Sequence, residues 1–354
     1  MPSHRSLVKD QRFRWAEIVL VGFLAYCLAR VAWAGGWSSL GTQLIHFPHR
    51  VLLLAVLAGL IFRLVRVSKA GLPALVLALG LTLLSLKLHW ALLGVAGVVA
   101  WLAVRAHGRF HGRFEVISFL GRAGHVVVIE LRKLAPVLIL VSLYPLVPVI
   151  IHSSAATDRD GMLHAIDLAL FLGHDPLLAF ERIISTPLSE WLAFCYTGYA
   201  FVFVIVVSES YAKGFARDFE RLVFELTLAL ALGYIGYSLV PARGPLFSQK
   251  FTVSLEFYQM AEFKELMIDQ LRIDRDVFPS LHTAITLLLM GACWRAARPL
   301  YWILLPVMIS IPVACVYLRY HYVIDVVAGA GLAATCWWLG RRLFSGQTQS
   351  ARLE

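Results

Sequence analysis

Long apolar runs separated by short charged segments dominate the chain. A membrane-spanning helix needs about 20 consecutive apolar residues, and most charged residues fall between runs of roughly that length. The pattern predicts an all-α polytopic membrane protein with about ten transmembrane helices. The predicted spans are 16–35, 49–66, 72–87, 89–104, 135–152, 188–208, 219–240, 279–297, 300–318 and 321–342. The second to fourth are short and carry charge near their ends, so eight spans is the alternative count.

The composition agrees with a membrane location. Of 354 residues, 59% are hydrophobic and 15% are charged, and the mean hydropathy is +0.74. The basic start leads into an apolar run of full spanning length without a small-residue cleavage site, so we expect the first helix to remain as an anchor. The five cysteines lie within or beside predicted spans, a placement that indicates neither a disulfide framework nor a zinc site.

The distribution of lysine and arginine predicts the orientation. With both termini in the cytoplasm, 21 of the 32 basic residues fall on inner segments and 10 on outer segments. Cytoplasmic segments of membrane proteins carry such an excess. We therefore expect an integral membrane protein, of the inner or plasma membrane if the source is bacterial, with cytoplasmic termini. Contact with anionic lipid then explains the net charge of +10, and no nucleic-acid partner is indicated.

Two predicted outer segments differ from simple connections. Residues 159–185 have apolar residues at helical spacing, interrupted by Gly173 and Pro176. This pattern predicts an amphipathic segment that lies on the membrane surface. Residues 241–278 form a long polar loop with charges of both signs, and loops of this length are often lids.

Candidate chemistry is concentrated at the predicted outer boundary. In V-F-P-S-L-H-T, residues 277–283, Pro279 suits the first turn of a helix and places Ser280 and His282 in the same turn. A helix N-terminus presents free N–H groups and attracts phosphate. Ser280 can add a hydroxyl donor, and His282 can donate a proton to a leaving oxygen.

A second motif supplies a candidate nucleophile. In Y-L-R-Y-H-Y-V-I-D, residues 317–325, His321 and Asp325 are four residues apart, which predicts that they share one helix face. A carboxylate that holds one imidazole nitrogen fixes the tautomer and makes the other nitrogen more nucleophilic. Arg319 lies beside this pair in the sequence.

A third motif, P-A-R-G-P at residues 241–245, places Arg243 just outside a predicted span. Its guanidinium group is suited to phosphate oxygens. The three motifs all fall at the outer boundary, so we expect a single site. Other interpretations are interfacial anchoring of the arginines, an N-cap role for Ser280 and a metal site built from the two histidines and the aspartate. A serine hydrolase would need a strand-turn-helix elbow, which the pattern lacks.

These motifs resemble the type 2 phosphatidic acid phosphatase superfamily, whose signature blocks are K-x6-R-P, P-S-G-H and S-R-x5-H-x3-D. P-S-L-H at residues 279–282 matches the second block with leucine in place of glycine, and His321 with Asp325 matches the end of the third. The lysine of the first block would fall at Gly236, and the arginine of the third would fall at Cys315. Arg319 would then be a substitute for that arginine, and only Arg243 is carried over from the first block.

The resemblance covers about 135 to 342 and implies two regions. Residues 1–134 would be an N-terminal membrane region of about four helices without an assigned function. Residues 135–345 would form a six-helix lipid phosphatase or phosphotransferase core. The F-P-S-L-H and H-Y-x-I-D-x-x-A-G forms, and the stretch 166–176, are most similar to the branch that includes inositol phosphorylceramide synthases, the aureobasidin-resistance branch.

The resemblance also implies a mechanism. His321 would attack phosphorus, His282 would protonate the leaving oxygen, and Asp325 would orient His321. Water or a lipid alcohol would then resolve the phosphohistidine, with no metal or cofactor. The phosphate oxygens would be bound by one hydroxyl and two guanidinium groups, those of Ser280, Arg243 and Arg319.

The implied partners are lipids in the membrane. The substrate would be a lipid phosphate or phosphodiester at the extracytoplasmic face. The more specific expectation is transfer of a phosphoinositol-type head group to a lipid alcohol. The alternative function is a transporter or binder that holds anionic lipid head groups without turnover.

Overall fold

The computed structural model describes residues 14–33, 135–141, 143–144, 147–152, 157–212, 216–258, 260 and 275–345. The predicted spans 49–66, 72–87 and 89–104 lie outside these residues, as does most of the predicted N-terminal region. Within the described part the regular structure is helical, and its one isolated bridge joins Ala242 to Asp276.

The described helices are numbered here in chain order. They are α1 (Arg14–Trp33), α2 (Val147–His152), α3 (Asp160–Leu170), α4 (Pro176–Phe180), α5 (Thr186–Ala212), α6 (Ala216–Leu239), α7 (Pro245–Ser248), α8 (Leu281–Ala296), α9 (Arg298–Tyr317) and α10 (Val323–Ser345). A 3-10 turn, Glu181–Ile183, follows α4. Among the described residues, four segments are long and apolar enough to cross a membrane: Thr186–Tyr211, Arg217–Leu239, Arg298–Tyr317 and Val323–Phe344. The prediction of an all-α integral membrane protein is confirmed.

Two helix starts differ from the prediction, and both differences fall at the motifs. Pro279 precedes α8 instead of lying in its first turn, because Ser280 is the N-cap and its hydroxyl accepts a hydrogen bond from the Thr283 N–H. His321 precedes α10, and only Asp325 belongs to the helix. The prediction that His321 and Asp325 share a helix face is therefore wrong; the turn before α10 brings them together.

Helix α8 lies at the centre of the described bundle. It packs against α5, α6, α9 and α10, and α1 packs against α6. Ile285 and Leu289 of α8 belong to one buried apolar cluster with Leu222 and Leu226 of α6. Between spans such contacts stabilise through close van der Waals packing, because lipid tails are as apolar as the side chains. The bundle thus holds the start of α8 in a fixed position.

Two glycines allow the backbones of the three motifs to touch. A Cβ atom on Gly329 of α10 would lie 2.4 Å from the carbonyl oxygen of Ser280. A Cβ on Gly244 would lie 2.5 Å from the carbonyl oxygen of Tyr320, and Gly244 has a φ of +88°, which disfavours other residues. A side chain at either position would separate elements that the site requires in contact.

The segment predicted to be amphipathic, 159–185, forms α3, α4 and the 3-10 turn. Its breaks are where the sequence predicted them: Gly173 has a φ of +86°, and Pro176 is the first residue of α4. Asp175 caps α4 by accepting a hydrogen bond from the Leu177 N–H at 2.9 Å. In the predicted lid, 241–278, the described residues form α7 and irregular backbone, and residues 259 and 261–274 lie outside them.

Candidate active site

The three motifs meet at one end of the bundle through backbone contacts. The Leu246 N–H donates to the Arg319 carbonyl at 2.8 Å, which joins the end of the P-A-R-G-P motif to the motif at residues 317–325. The Ser280 N–H donates to the Asp325 carbonyl at 3.0 Å, which joins the motif at residues 277–283 to the same motif. The Ala242–Asp276 bridge joins the P-A-R-G-P motif to the residue before the motif at residues 277–283.

His321 and Asp325 form a buried pair. The Nδ1 atom of His321 lies 3.5 Å from Oδ2 of Asp325, and their side chains are 5% and 0% exposed. The same oxygen accepts the Tyr322 N–H at 2.8 Å. The backbone also fixes the turn that carries His321, because the carbonyl of Cys315 accepts the N–H groups of Tyr320 and His321. The 3.5 Å separation is long for a hydrogen bond, and such catalytic bonds often tighten in the reacting complex.

His282 faces His321 across the site. Their ring centroids are 6.3 Å apart. On its other sides the imidazole of His282 stacks on Tyr196, with centroids 4.3 Å apart, and contacts Tyr199 at 4.7 Å. Sequence analysis missed both tyrosines of α5. Their spacing of three residues, which puts them on one helix face, was the available signal.

The described contacts of Ser280 are structural, and its role in binding phosphate stays a prediction. Its hydroxyl is buried, lies 3.1 Å from the Thr283 hydroxyl and accepts the Thr283 N–H. The sulfur of Cys315 lies 3.7 Å from the same oxygen. This is the N-cap arrangement that sequence analysis held as the alternative for Ser280. It places His282 in the first turn of α8.

Arg319 connects the catalytic turn to the 3-10 turn and to the loop after α7. Its Nη2 atom lies 3.5 Å from Oε1 of Glu181 and donates to the carbonyl of Val253. The guanidinium group also lies over the ring of Phe251, 3.9 Å from its centroid. The hydroxyl and N–H groups of Thr252, with Arg319 nearby, hold the pKa of Glu181 below its usual value. Glu181 is therefore an ionised partner of Arg319.

Arg243 lies in the turn between α6 and α7 with an exposed side chain. Its guanidinium carbon is 5.9 Å from the centroid of the Phe247 ring. Both arginines thus sit on motifs that border the histidine pair, and the described contacts tie Arg319 to Glu181. A role for either arginine in binding phosphate stays a prediction.

Helix α3 contributes a carboxylate that sequence analysis missed. Asp160 accepts the backbone N–H of Arg243 at 2.9 Å and that of Gly244 at 2.8 Å. The hydroxyl of Tyr322, the residue after the candidate nucleophile, donates to the same carboxylate at 3.1 Å. Asp160 therefore clamps the P-A-R-G-P motif to the motif at residues 317–325.

A second carboxylate of α3 caps the helix that carries Asp325. The two oxygens of Asp167 accept the N–H groups of Val323 and Ile324, each at 2.8 Å. Burial raises the pKa of Asp167, and these two hydrogen bonds oppose that rise. Asp160 and Asp167 are seven residues apart, two helical turns, and this spacing was the only sequence signal for a shared inward face.

The two departures from the superfamily blocks are packing positions. A Cβ on Gly236 would lie 2.4 Å from Cδ of Pro279, so a lysine there would collide with the turn before α8. Cys315, at the arginine position, is fully buried beside Ser280. Among the described residues, no group of three histidine, cysteine or acidic side chains is arranged to hold a metal ion. Metal independence of the reaction stays a prediction.

Comparison with known proteins identifies the family of the chain. The family model described as the PAP2 superfamily matches residues 161–339, just over half of the chain. No curated protein and no solved structure matches. The chain belongs to the PAP2 superfamily, and this membership supports a phosphatase-type enzyme that acts on lipid phosphate. The match spans all three motifs, and the resemblance to the superfamily is confirmed.

Proposed function

We propose that this protein transfers a phosphate-containing group from a lipid phosphate or phosphodiester through a phosphohistidine intermediate on His321. The observation that carries the proposal is a buried histidine–carboxylate pair with a second histidine 6.3 Å away, ring centre to ring centre. Two imidazoles this close can both reach groups bonded to one phosphorus atom. Reacting atoms in productive complexes are about 3–3.5 Å apart.

The proposed first step follows from the tautomer of His321. With Asp325 holding the proton on Nδ1, the lone pair lies on Nε2, which attacks phosphorus. The bond from phosphorus to the leaving oxygen breaks, and His282 gives that oxygen its proton. In the second step His282 takes a proton from water or an alcohol, whose oxygen attacks phosphorus and breaks the P–N bond.

Charge on the transferred group would be stabilised by donors around the pair. The N-terminus of α8 points its first N–H groups toward the end of the bundle where His321 lies, and helix N-termini bind phosphate. Arg243 and Arg319 are the two guanidinium groups on the adjoining motifs. Stabilisation of the equatorial oxygens is the main requirement in phosphoryl transfer.

We propose that the site lies at the extracytoplasmic face. The count of basic residues supports this orientation. At the opposite end of the bundle, arginine side chains stack on tryptophan rings, an arrangement suited to the cytoplasmic membrane surface. These pairs are Arg298 on Trp294 at 4.8 Å, Arg341 on Trp337 at 4.7 Å and Arg342 on Trp338 at 4.2 Å.

Transfer to a lipid alcohol is a finer proposal than hydrolysis. The aromatic rings of Tyr196 and Tyr199 pack against His282, and a site that limits water favours an alcohol acceptor. The similarity of F-P-S-L-H and H-Y-x-I-D-x-x-A-G to inositol phosphorylceramide synthases supports a phosphoinositol-type head group.

A substrate panel tests the proposal. Purified protein would be incubated with phosphatidate, other lipid phosphates and phosphatidylinositol, with and without a lipid alcohol, and products would be quantified. We expect phosphate release from a lipid phosphate or head-group transfer to the alcohol. Tight binding of the same lipids without any product would instead support the alternative, a transporter or binder of anionic head groups.

A further inference from the structure

Helix α3 carries its two acidic residues on its inner face, beside the buried Leu163, and has an apolar outer face. Its two acidic residues, Asp160 and Asp167, are buried against the site. A surface helix that faces water has the opposite arrangement. All exposed residues of α3 are uncharged and apolar or small: Gly161, Met162, Ala165, Ala169 and Leu170. The outward environment that matches this surface is hydrocarbon.

The turn after α3 extends the same surface. Phe171 is 41% exposed and Leu172 is 90% exposed. Leu172 also has a φ of +56°, in the left-handed region that asparagine and glycine adopt far more readily than leucine. A large apolar side chain in this conformation, with little protein contact, would gain its favourable interaction from an apolar surrounding.

Packing and the path of the chain connect this surface to helices that are long enough to span the membrane. Helix α3 packs against the span-forming α10, and α4 and the 3-10 turn lead directly into α5. Between them, Leu178 is 43% exposed and Ile183 is 54% exposed. Exposed apolar side chains therefore recur from α3 to the start of α5, with the exposed His174 and Arg182 between them.

We infer that α3 and the turn at Phe171 and Leu172 insert into the leaflet that borders the site, and that the lipid bilayer thereby keeps the two carboxylate clamps in place. The occupant of the surface is lipid hydrocarbon. Through Asp160 and Asp167, the same helix holds the Arg243–Gly244 turn and the start of α10. Membrane contact on one face of α3 thus supports the catalytic turn on the other. The consequence for activity rests on the proposed function; the insertion itself does not.

Site-directed spin labelling tests insertion without any assay of activity. A nitroxide would be attached to Leu172→Cys in a Cys27→Ser chain reconstituted in liposomes, since the other cysteines are buried. Lys250→Cys, on an exposed loop position, is the matched control. We expect the label at 172 to be more accessible to oxygen than to a water-soluble nickel chelate, and the label at 250 to show the reverse. Nickel access at 172 equal to that at 250, or shielding from both reagents by protein, would overturn the inference.

Paired substitutions test the effect on turnover. Leu172→Asn removes the apolar side chain and suits the left-handed backbone, whereas Leu172→Met keeps an apolar side chain. We expect the asparagine variant to lose at least about fivefold in rate on phosphatidate embedded in bilayers, because binding to the interface depends on buried apolar area. On a monomeric short-chain lipid phosphate it should match the parent. Equal bilayer rates for the two variants would contradict the inference, and no turnover by the parent on either substrate would contradict the proposed function alone.

Discussion

The backbone carbonyl of Asp325 accepts a hydrogen bond from the backbone N–H of Ser280 at 3.0 Å. Asp325 therefore contacts both halves of the site: its carboxylate faces His321, and its carbonyl holds the turn that precedes His282. The relative position of the two histidines depends on these two groups of one residue. Only the carboxylate contact is sensitive to side-chain substitution.

Asp325→Asn should reduce kcat/KM by at least about tenfold, in the range seen when a group that orients an imidazole is lost. The carbonyl contact to Ser280 survives, and the amide can place the His321 proton on the wrong nitrogen. Initial rates and the thermal unfolding temperature in detergent would be measured together. A parental rate, or a variant that does not fold, would contradict this assignment.

His321→Ala should leave less than about one hundredth of the parental rate, because it removes the proposed covalent nucleophile. The matched control is His174→Ala, which changes an exposed histidine in the turn before α4. Brief incubation with a lipid carrying labelled phosphate should label the parent protein, with the acid-labile and alkali-stable behaviour of phosphohistidine. Label that persists in the alanine variant would assign the nucleophile elsewhere.

Asp167→Ala should destabilise the protein by about 2 kcal/mol, since it leaves two partly buried N–H groups at the start of α10 without their acceptor. Asp167→Asn keeps one acceptor oxygen, so its free energy of unfolding should lie between those of the alanine variant and the parent. Asp158→Ala is the control, because it removes a partly exposed ion pair with Arg275 that contributes at most about 1 kcal/mol. Denaturant unfolding of the three variants gives the comparison, and equal stabilities of the first and last would exclude the capping role.

A chelator should leave the rate nearly unchanged, because histidine, arginine and helix N–H groups supply the positive charge in the proposed mechanism. Orthovanadate, which adopts the five-coordinate geometry of phosphoryl transfer, should inhibit. Rates would be measured with EDTA, with EDTA plus magnesium, and with vanadate. Complete loss in EDTA that magnesium restores would assign His282, His321 and Asp325 to metal binding.

A cysteine at position 250 should react with a membrane-impermeant reagent in intact cells. Lys250 lies on an exposed loop at the end of the bundle that carries the site, and we propose that this end is extracytoplasmic. The Cys27→Ser chain without the new cysteine gives the background. Labelling that occurs only after the cells are lysed would reverse the topology and place the site in the cytoplasm.

Much of the helical architecture was predictable from the amino-acid sequence. In hydrocarbon every backbone N–H and C=O must be paired within the segment, so an apolar run of spanning length has to be helical. For this reason the spans that contain α5, α6, α9 and α10 could be predicted as helices. The motif residues were also apparent, because serine, histidine, aspartate and arginine in three short motifs all fall at the same predicted membrane boundary. The exact starts of α8, after the N-cap Ser280, and of α10, at Val323, were not predictable. They depend on a cap and on a turn that form in place of additional helical residues.

Sequence alone therefore determined the class of protein, the spans that contain α5, α6, α9 and α10, and the motifs that carry the two histidines. Only the tertiary structure decided how that pair is supported: Tyr196 and Tyr199 around His282, Glu181 on Arg319, and Asp160 and Asp167 beneath the two turns. Hydropathy and short motifs report the environment of a residue and its near neighbours along the chain. The partners in these contacts are 80 or more residues apart in the sequence, and their meeting depends on how the helices pack.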